Sequence, residues 1–243
     1  MTYMHVPAPT DRARLWAILA LCAAVAFALV PVFVPPFTGF DASRFPVPVE
    51  TLPIQPAGWA FSIWGVIYLW LIASTGYGLL KRDNDARWTE HRPWLFVSMA
   101  IGAAWIPVAK TSPVWATILI VTMLLTALVA LAKAPLIERG WARWPIGLYA
   151  GWLTAASFVS LATLAAGYGL AGSDVASWIA LPLALIVAAA FTLKLGTPTY
   201  PAAAAWAAVG IAVANWSTVF AWVAAAGAVL LAILALIPLL RRV

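Results

Sequence analysis

PAGWAFSIWGVIY, residues 56–68, opens a long apolar segment and sets two tryptophans, a phenylalanine and a tyrosine at helical spacing. Phe61, Trp64 and Tyr68 fall at i, i+3 and i+7, so a helix stacks them on one face. Trp59, Ile63, Val66 and Trp70 fall on a neighbouring face. Aliphatic side chains suffice wherever a helix meets lipid. A double aromatic stripe entered through Pro-Ala-Gly-Trp therefore reads as the wall of a pocket for a flat, apolar ligand.

The rest of the chain sets that stripe in a membrane. It is 65% hydrophobic and 9% charged, with a mean hydropathy of +0.97. A soluble domain is roughly 45–50% apolar and about 25% charged. Apolar runs of about 20 residues recur along the length, enough to cross roughly 30 Å of hydrocarbon. The runs are continuous rather than alternating, which excludes a barrel. The fold class is all-α, a polytopic transmembrane helical bundle. Eight spans are expected, at about Leu15–Val34, Ala57–Leu80, Pro93–Ala109, Val114–Ala134, Pro145–Gly169, Val175–Phe191, Ala202–Asn215 and Thr218–Leu240.

The net charge of +6 sits in small groups between the apolar runs. That placement encodes topology and argues against nucleic acid. With eight spans and the N-terminus inside, every one of the 14 Lys and Arg except Arg44 and Lys110 lies on the inner side. Seven spans would put Arg241 and Arg242 outside. The first span is too long for a signal-peptide core, and Val-Pro-Pro follows where small residues would mark cleavage. Cys22 is the single cysteine and forms no intrachain disulfide.

One outer segment is substantial, from about Pro35 to Gln55, and Pro35, Pro36, Pro46, Pro48 and Pro53 stiffen it. A connection of this length reads either as a lid over a binding site or as a plain linker. No Asp, Glu, His, Lys or Arg lies near the middle of any span, which speaks against an ion pathway or an acid–base enzyme. His5 and His91 form no cluster for a metal or haem. Of the 15 tryptophans, Trp16, Trp88, Trp94, Trp115, Trp141, Trp144 and Trp178 sit at span ends and read as an interfacial belt. Trp64, Trp105, Trp152 and Trp206 lie deeper and are expected to face protein or a cavity, where the indole N–H can find a partner. In the fifth span Tyr149, Trp152, Ala156 and Ser160 form a second stripe, while Gly147 and Gly151 permit close helix approach on another face. Leu71, Tyr77 and Lys81 fit a loose sterol-contact pattern.

PAGWAFSIWGVIY resembles the start of the second helix of the TspO/MBR family, the tryptophan-rich sensory proteins related to the mitochondrial translocator protein. AAWIP at 103–107 is similar to the family's third-helix Asn-x-x-Trp-x-Pro signature, and YAGWLTAASFVS at 149–160 to its fifth-helix Trp-x-x-x-Ala-Thr-x-x-Asn signature. The pattern covers about Leu15–Leu170, a five-helix unit. Residues 171–243 would add three helices, as in longer tryptophan-rich proteins. Two positions depart from the family: Gly102 and Ser160 stand where it has Asn. Gly has no side chain to hydrogen-bond with, and Ser reaches less far.

The resemblance implies a sensor, regulator or carrier that binds porphyrins, other tetrapyrroles or sterol-like lipids inside the five-helix unit, beneath the first loop. The ligand-binding residues expected are Trp59, Phe61, Trp64, Tyr68, Trp105, Tyr149, Trp152, Ser157 and Ser160. No catalytic or metal-binding residue is expected and no cofactor, the tetrapyrrole being a ligand. An oxidative activity is associated with the family, but these residues do not make the chain an enzyme. The alternative is a secondary transporter of a small uncharged or amphipathic solute, with Thr154, Ser157, Ser160 and Asn215 as polar groups. The partners expected are the lipid bilayer, a hydrophobic small molecule and a second copy of the chain. The location expected is a bacterial inner membrane.

The charge distribution predicts cytoplasmic N- and C-termini. An alkaline phosphatase fusion at Val243 should be inactive and one in the Pro-rich loop active. An active C-terminal fusion would refute the eight-span topology.

Overall fold

The computed structural model describes residues 11–34, 37, 39–49 and 51–240. His5, Pro35, Pro36, Arg241 and Arg242, which enter the sequence reading, lie outside them. Eight long helices make the fold: α1 (Asp11–Phe33), α2 (Ile63–Arg82), α3 (Arg92–Ala109), α4 (Pro113–Lys133), α5 (Arg139–Gly167), α6 (Ser173–Leu195), α7 (Thr199–Ala214) and α8 (Val219–Leu240). Short helical turns stand at Ala42–Arg44, Gly58–Ser62 and Ala86–Thr89, and there is no strand among the described residues. Seven of the eight are long and apolar enough to cross a membrane. The exception is α7, whose 16 residues rise about 24 Å at 1.5 Å per residue. The protein is an integral membrane helical bundle.

Local chemistry sets the helix ends. Ser112 accepts from the Trp115 backbone N–H and Pro113 follows it, a cap and a first-turn proline that start α4. Gly196, at φ +61°, ends α6 in the left-handed conformation that costs glycine nothing.

Packing divides the helices into two groups that share α5. In the first, α1 packs on α2 and α3, α3 on α4, α4 on α5, and α5 on α2, closing a five-helix ring. In the second, α6 and α7 flank α5 and α8 packs on both. The expected division near residue 170 falls in the α5–α6 connection, yet α5 belongs to both groups. The approach of α7 to α5 is the closest: a Cβ at Gly151 would lie 2.1 Å from the Tyr200 carbonyl oxygen. One turn earlier, a Cβ at Gly147 would lie 2.5 Å from Thr199 Oγ1.

Two arginines are buried, each at the start of a helix. Arg92, opening α3, donates to the carbonyls of Gly78, Arg82 and Asp83 at the end of α2 and of Ala13 in α1. Arg143, in the second turn of α5, donates to the carbonyls of Ala134 after α4 and Leu195 at the end of α6. Carbonyls at helix C-termini lack intrahelical partners and carry partial negative charge, so a guanidinium among them is hydrogen-bonded without a carboxylate. Between these two, Glu138 holds φ +50° and accepts from Tyr77 Oη and Arg82. The donation from Arg82 holds its carboxyl below the usual range.

From Phe45 on, the Pro-rich segment lies on the second helix group, while Phe37 before it touches Trp105 of the five-helix ring. Phe45, Val49, Leu52 and Ile54 are buried with Ala166, Ala176, Ile211 and Phe220 at the ends of α5, α6, α7 and α8. Backbone bonds clamp the segment there, from Val47 N–H to the Gly167 carbonyl and from Ala57 N–H to that of Gly210. Asn215 Nδ2 donates to the Pro53 carbonyl. Residues 45, 49, 52 and 54 therefore make a strap over the second group, where the resemblance implied a lid over the five-helix pocket. The physical reason is the run of apolar side chains, which finds its burial on alanine-rich α5–α8.

Filling the Gly151 contact should separate α5 from α7. Gly151→Ala is expected to destabilise the protein by about 1–3 kcal/mol, the usual cost of overpacking. Gly65→Ala, where a Cβ meets nothing within 4 Å, should cost nothing. Thermal unfolding in detergent compares the two, and equal melting temperatures would contradict the contact.

An aromatic cluster as candidate functional site

The candidate site is built on α2 and α5. The stretch before α2 is a 3-10 helix from Gly58 to Ser62, tighter than an α-helix, and the α-helical register begins only at Ile63. This breaks the stripe of Trp59, Ile63, Val66 and Trp70 read from the sequence: Ile63 is buried, Val66 is exposed, and Trp59 turns away. The inner stripe survives, because Trp64 and Tyr68 lie within the α-helix, one turn apart. Their rings stack at 5.3 Å with planes 18° apart.

Helix α5 brings the opposing wall. Trp152, 2% exposed, meets Trp64 edge-on at 6.2 Å and Phe61 at 5.6 Å. Tyr149 is fully buried and lies 6.4 Å from Trp64. Its hydroxyl is 3.0 Å from Ser98 Oγ, and Ser98 Oγ donates to the Met123 carbonyl. The single Ser98 proton is thereby spent, so Tyr149 is the donor of that pair. Phe61, Trp64, Tyr68, Tyr149 and Trp152 thus converge on one space between α2 and α5.

Other expected residues lie elsewhere. Trp59 is 44% exposed and packs edge-on against Trp206 of α7 at 5.0 Å. Trp105 donates its indole N–H to the Ala116 carbonyl and contacts Phe37 at 4.9 Å, near the outer segment. Ser157 and Ser160 are buried on α5, and the Ser157 hydroxyl has no partner among the described residues. Trp206 donates to the Ala60 carbonyl. Trp64 and Trp152 make no comparable bond among the described residues, leaving two indole N–H groups free for an incoming acceptor.

Two readings of the sequence are corrected here. Trp88, placed in the interfacial belt, is 1% exposed and fills the space beside Gly78. It lies in the short turn before α3, which folds inward against the end of α2. Tyr77 of the sterol-contact pattern is committed to protein, stacking on Trp141 at 5.0 Å and donating to Glu138.

The centre of the cluster holds a residue that the sequence reading did not single out. Phe27 of α1 is 4% exposed and stands edge-on to Trp64 at 5.7 Å, Tyr68 at 5.0 Å and Tyr149 at 5.7 Å. Gly102 of α3 makes its room: a Cβ there would lie 2.5 Å from the Phe27 ring. A signal for it exists in the sequence. Ala13, Ala17, Ala20 and Ala24 line the buried face of α1 at alternating spacings of four and three, and Phe27 is the one bulky residue to continue them. By contrast, the crevice between α5, α6, α7 and α8, bordered by Ile54, Thr154, Leu185 and Leu231, encloses about 20 Å3, room for a water at most.

No curated protein and no solved structure matches the chain. A family model described as TSPO-like protein matches residues 47–237, which spans α2 through most of α8 and leaves α1 outside. The match covers well over half of the sequence, and the chain belongs to the TSPO-like family.

Proposed function

We propose that the protein binds flat apolar ligands, tetrapyrroles or sterol-like lipids, between α2 and α5, and acts as a sensor, regulator or carrier for them. Family membership supports the coarser part, a membrane ligand-binding or transport protein. The observation that carries the finer part is the meeting of Trp64, Tyr68, Tyr149 and Trp152 from two helices at one place. Packing alone would be met by aliphatic side chains at lower cost in buried polar atoms. Four ring systems with two unpaired indole N–H groups instead offer faces and edges to a planar ligand and donors to its polar rim. Phe61 extends the wall toward the 3-10 turn.

Ser157 and Ser160 belong to the same helix, and the unpaired Ser157 hydroxyl is a further polar group on it. Trp59 and Trp105 act at a distance. Trp59 pairs with Trp206 to set the 3-10 turn on α7, and Trp105 ties α3 to α4.

The reading is tested by titrating tryptophan fluorescence with protoporphyrin IX. Trp152→Ala should weaken binding by about 1 kcal/mol, near fivefold, since an aromatic contact contributes roughly 0.5–1.5 kcal/mol beyond area burial. Trp178→Ala, which removes an edge contact to Phe220 on α8, should leave affinity unchanged. Both variants must unfold cooperatively first, because truncating a buried Trp costs roughly 3–5 kcal/mol. Equal affinity for wild type and folded Trp152→Ala refutes the site. Uptake of porphyrin into liposomes bearing the protein separates a carrier from a sensor.

A further inference from the structure

Resting on that ligand reading, we propose that Phe27 is a resident plug of the aromatic site, and that the turn from Phe27 to Pro31 loosens to release its ring when a flat ligand enters. The ring occupies the space that a planar ligand would take: it touches three of the aromatic residues at once, edge-on to each. A fourth side is closed by Gly102, whose missing Cβ is the condition for the ring to fit. Any side chain at 102 would push Phe27 out of the cluster.

The loosening follows from backbone chemistry. Pro31 lies inside α1 and has no N–H, so the carbonyl four residues back, that of Phe27 itself, loses its helical partner. The helix is weakest at the residue that must move. The two ends of α1 are held differently. Near its start the Ala13 carbonyl accepts from Arg92 Nη1. Beyond that turn Val32 and Phe33 are exposed, with nothing packed over them among the described residues. The buried face between carries Ala17, Ala20, Ala23 and Ala24, and Trp16 packs edge-on against Phe96 of α3 at 5.9 Å, which seats this part closely. The N-terminal part of α1 is thus an anchored rod, and Phe27 stands at its end, in the turn that Pro31 loosens, from where local unwinding turns its ring toward lipid.

A plug held in place reduces apparent affinity by the fraction of molecules in which it is withdrawn. Protoporphyrin IX binding is measured by fluorescence, at equilibrium and by stopped flow, on the full chain in lipid nanodiscs. Phe27→Ala should bind at least about tenfold tighter than wild type, through faster association. Phe27→Leu keeps the slot apolar, guards against misfolding of the alanine variant and should shift in the same direction. Pro31→Ala restores an N–H to the Phe27 carbonyl and should associate more slowly. Trp222→Ala, on the exposed face of α8, should match wild type. Binding by the Phe27 variants alone, with none by wild type, supports the plug. Unchanged affinity and rates in folded Phe27→Leu and Pro31→Ala overturn it and leave the ligand site standing. No binding by wild type or by any variant overturns both.

Discussion

The contact on which the bundle depends is the one at Gly151, where the Tyr200 carbonyl stands in the place of a side chain. In a bilayer, helices gain nothing by hiding apolar surface from lipid tails that are equally apolar, so they associate through close packing and hydrogen bonds. Helix α5 has to meet this condition on several sides at once. Toward α7 it offers Gly147 and Gly151, toward α2 it offers Trp152, and toward α3 it sends Tyr149. Once α7 is seated, Tyr200 donates to Thr154 Oγ1, which passes its own proton to the Ala150 carbonyl. The pair repeats in the second helix group the Tyr149–Ser98–Met123 relay of the first. Each group therefore holds one buried tyrosine with its hydroxyl satisfied.

Polar groups elsewhere follow the same economy. The bundle has few charges, and the buried ones are used as caps. Arg92 and Arg143 each gather carbonyls from two other segments, so a single cation ties three pieces of chain together. The indoles of Trp70, Trp105 and Trp206 do so in a smaller way, each donating to a carbonyl of another helix or turn. Sequence spacing placed these groups at span ends or at depth. It held no information on which carbonyl each would reach, because that depends on how neighbouring helices cross.

The fold was therefore legible in its elements and less so in its details. Long apolar runs with charged gaps are enough to specify eight helices, since in lipid the backbone has no alternative way to satisfy itself. The stripe of Trp64 and Tyr68 was legible because both lie in regular α-helix. Trp59 was misplaced because a 3-10 turn advances fewer residues per turn, and nothing in Gly58–Ser62 announces that change. Trp88 was read as interfacial from its place near a span end, whereas the single turn at Ala86–Thr89 buries it against Gly78. The Pro-rich segment was expected over the five-helix pocket by analogy. Its own apolar residues at 45, 49, 52 and 54 decide instead that it lies on α5–α8.

Phe27 shows how a departure from a family pattern can be physical rather than incidental. An Asn at position 102 would bring a polar side chain into the aromatic cluster, and Gly102 replaces it with space that Phe27 fills. The exchange substitutes three edge-on aromatic contacts, each worth roughly 0.5–1.5 kcal/mol, for hydrogen bonding. It also makes the occupant exchangeable. A phenyl ring that leaves a water-soluble core pays the hydrophobic transfer cost, but one that swings into lipid gives up only its packing and ring contacts. A large planar ligand that touches the same rings recovers those contacts and adds more. The family match, which begins at residue 47, covers the strap and α2–α8 as one unit around α5. Helix α1 joins that unit through an alanine face, the Ala13 carbonyl on Arg92, Trp16 on Phe96 and the Phe27 ring. A helix outside the matched stretch thus supplies the ring at its centre.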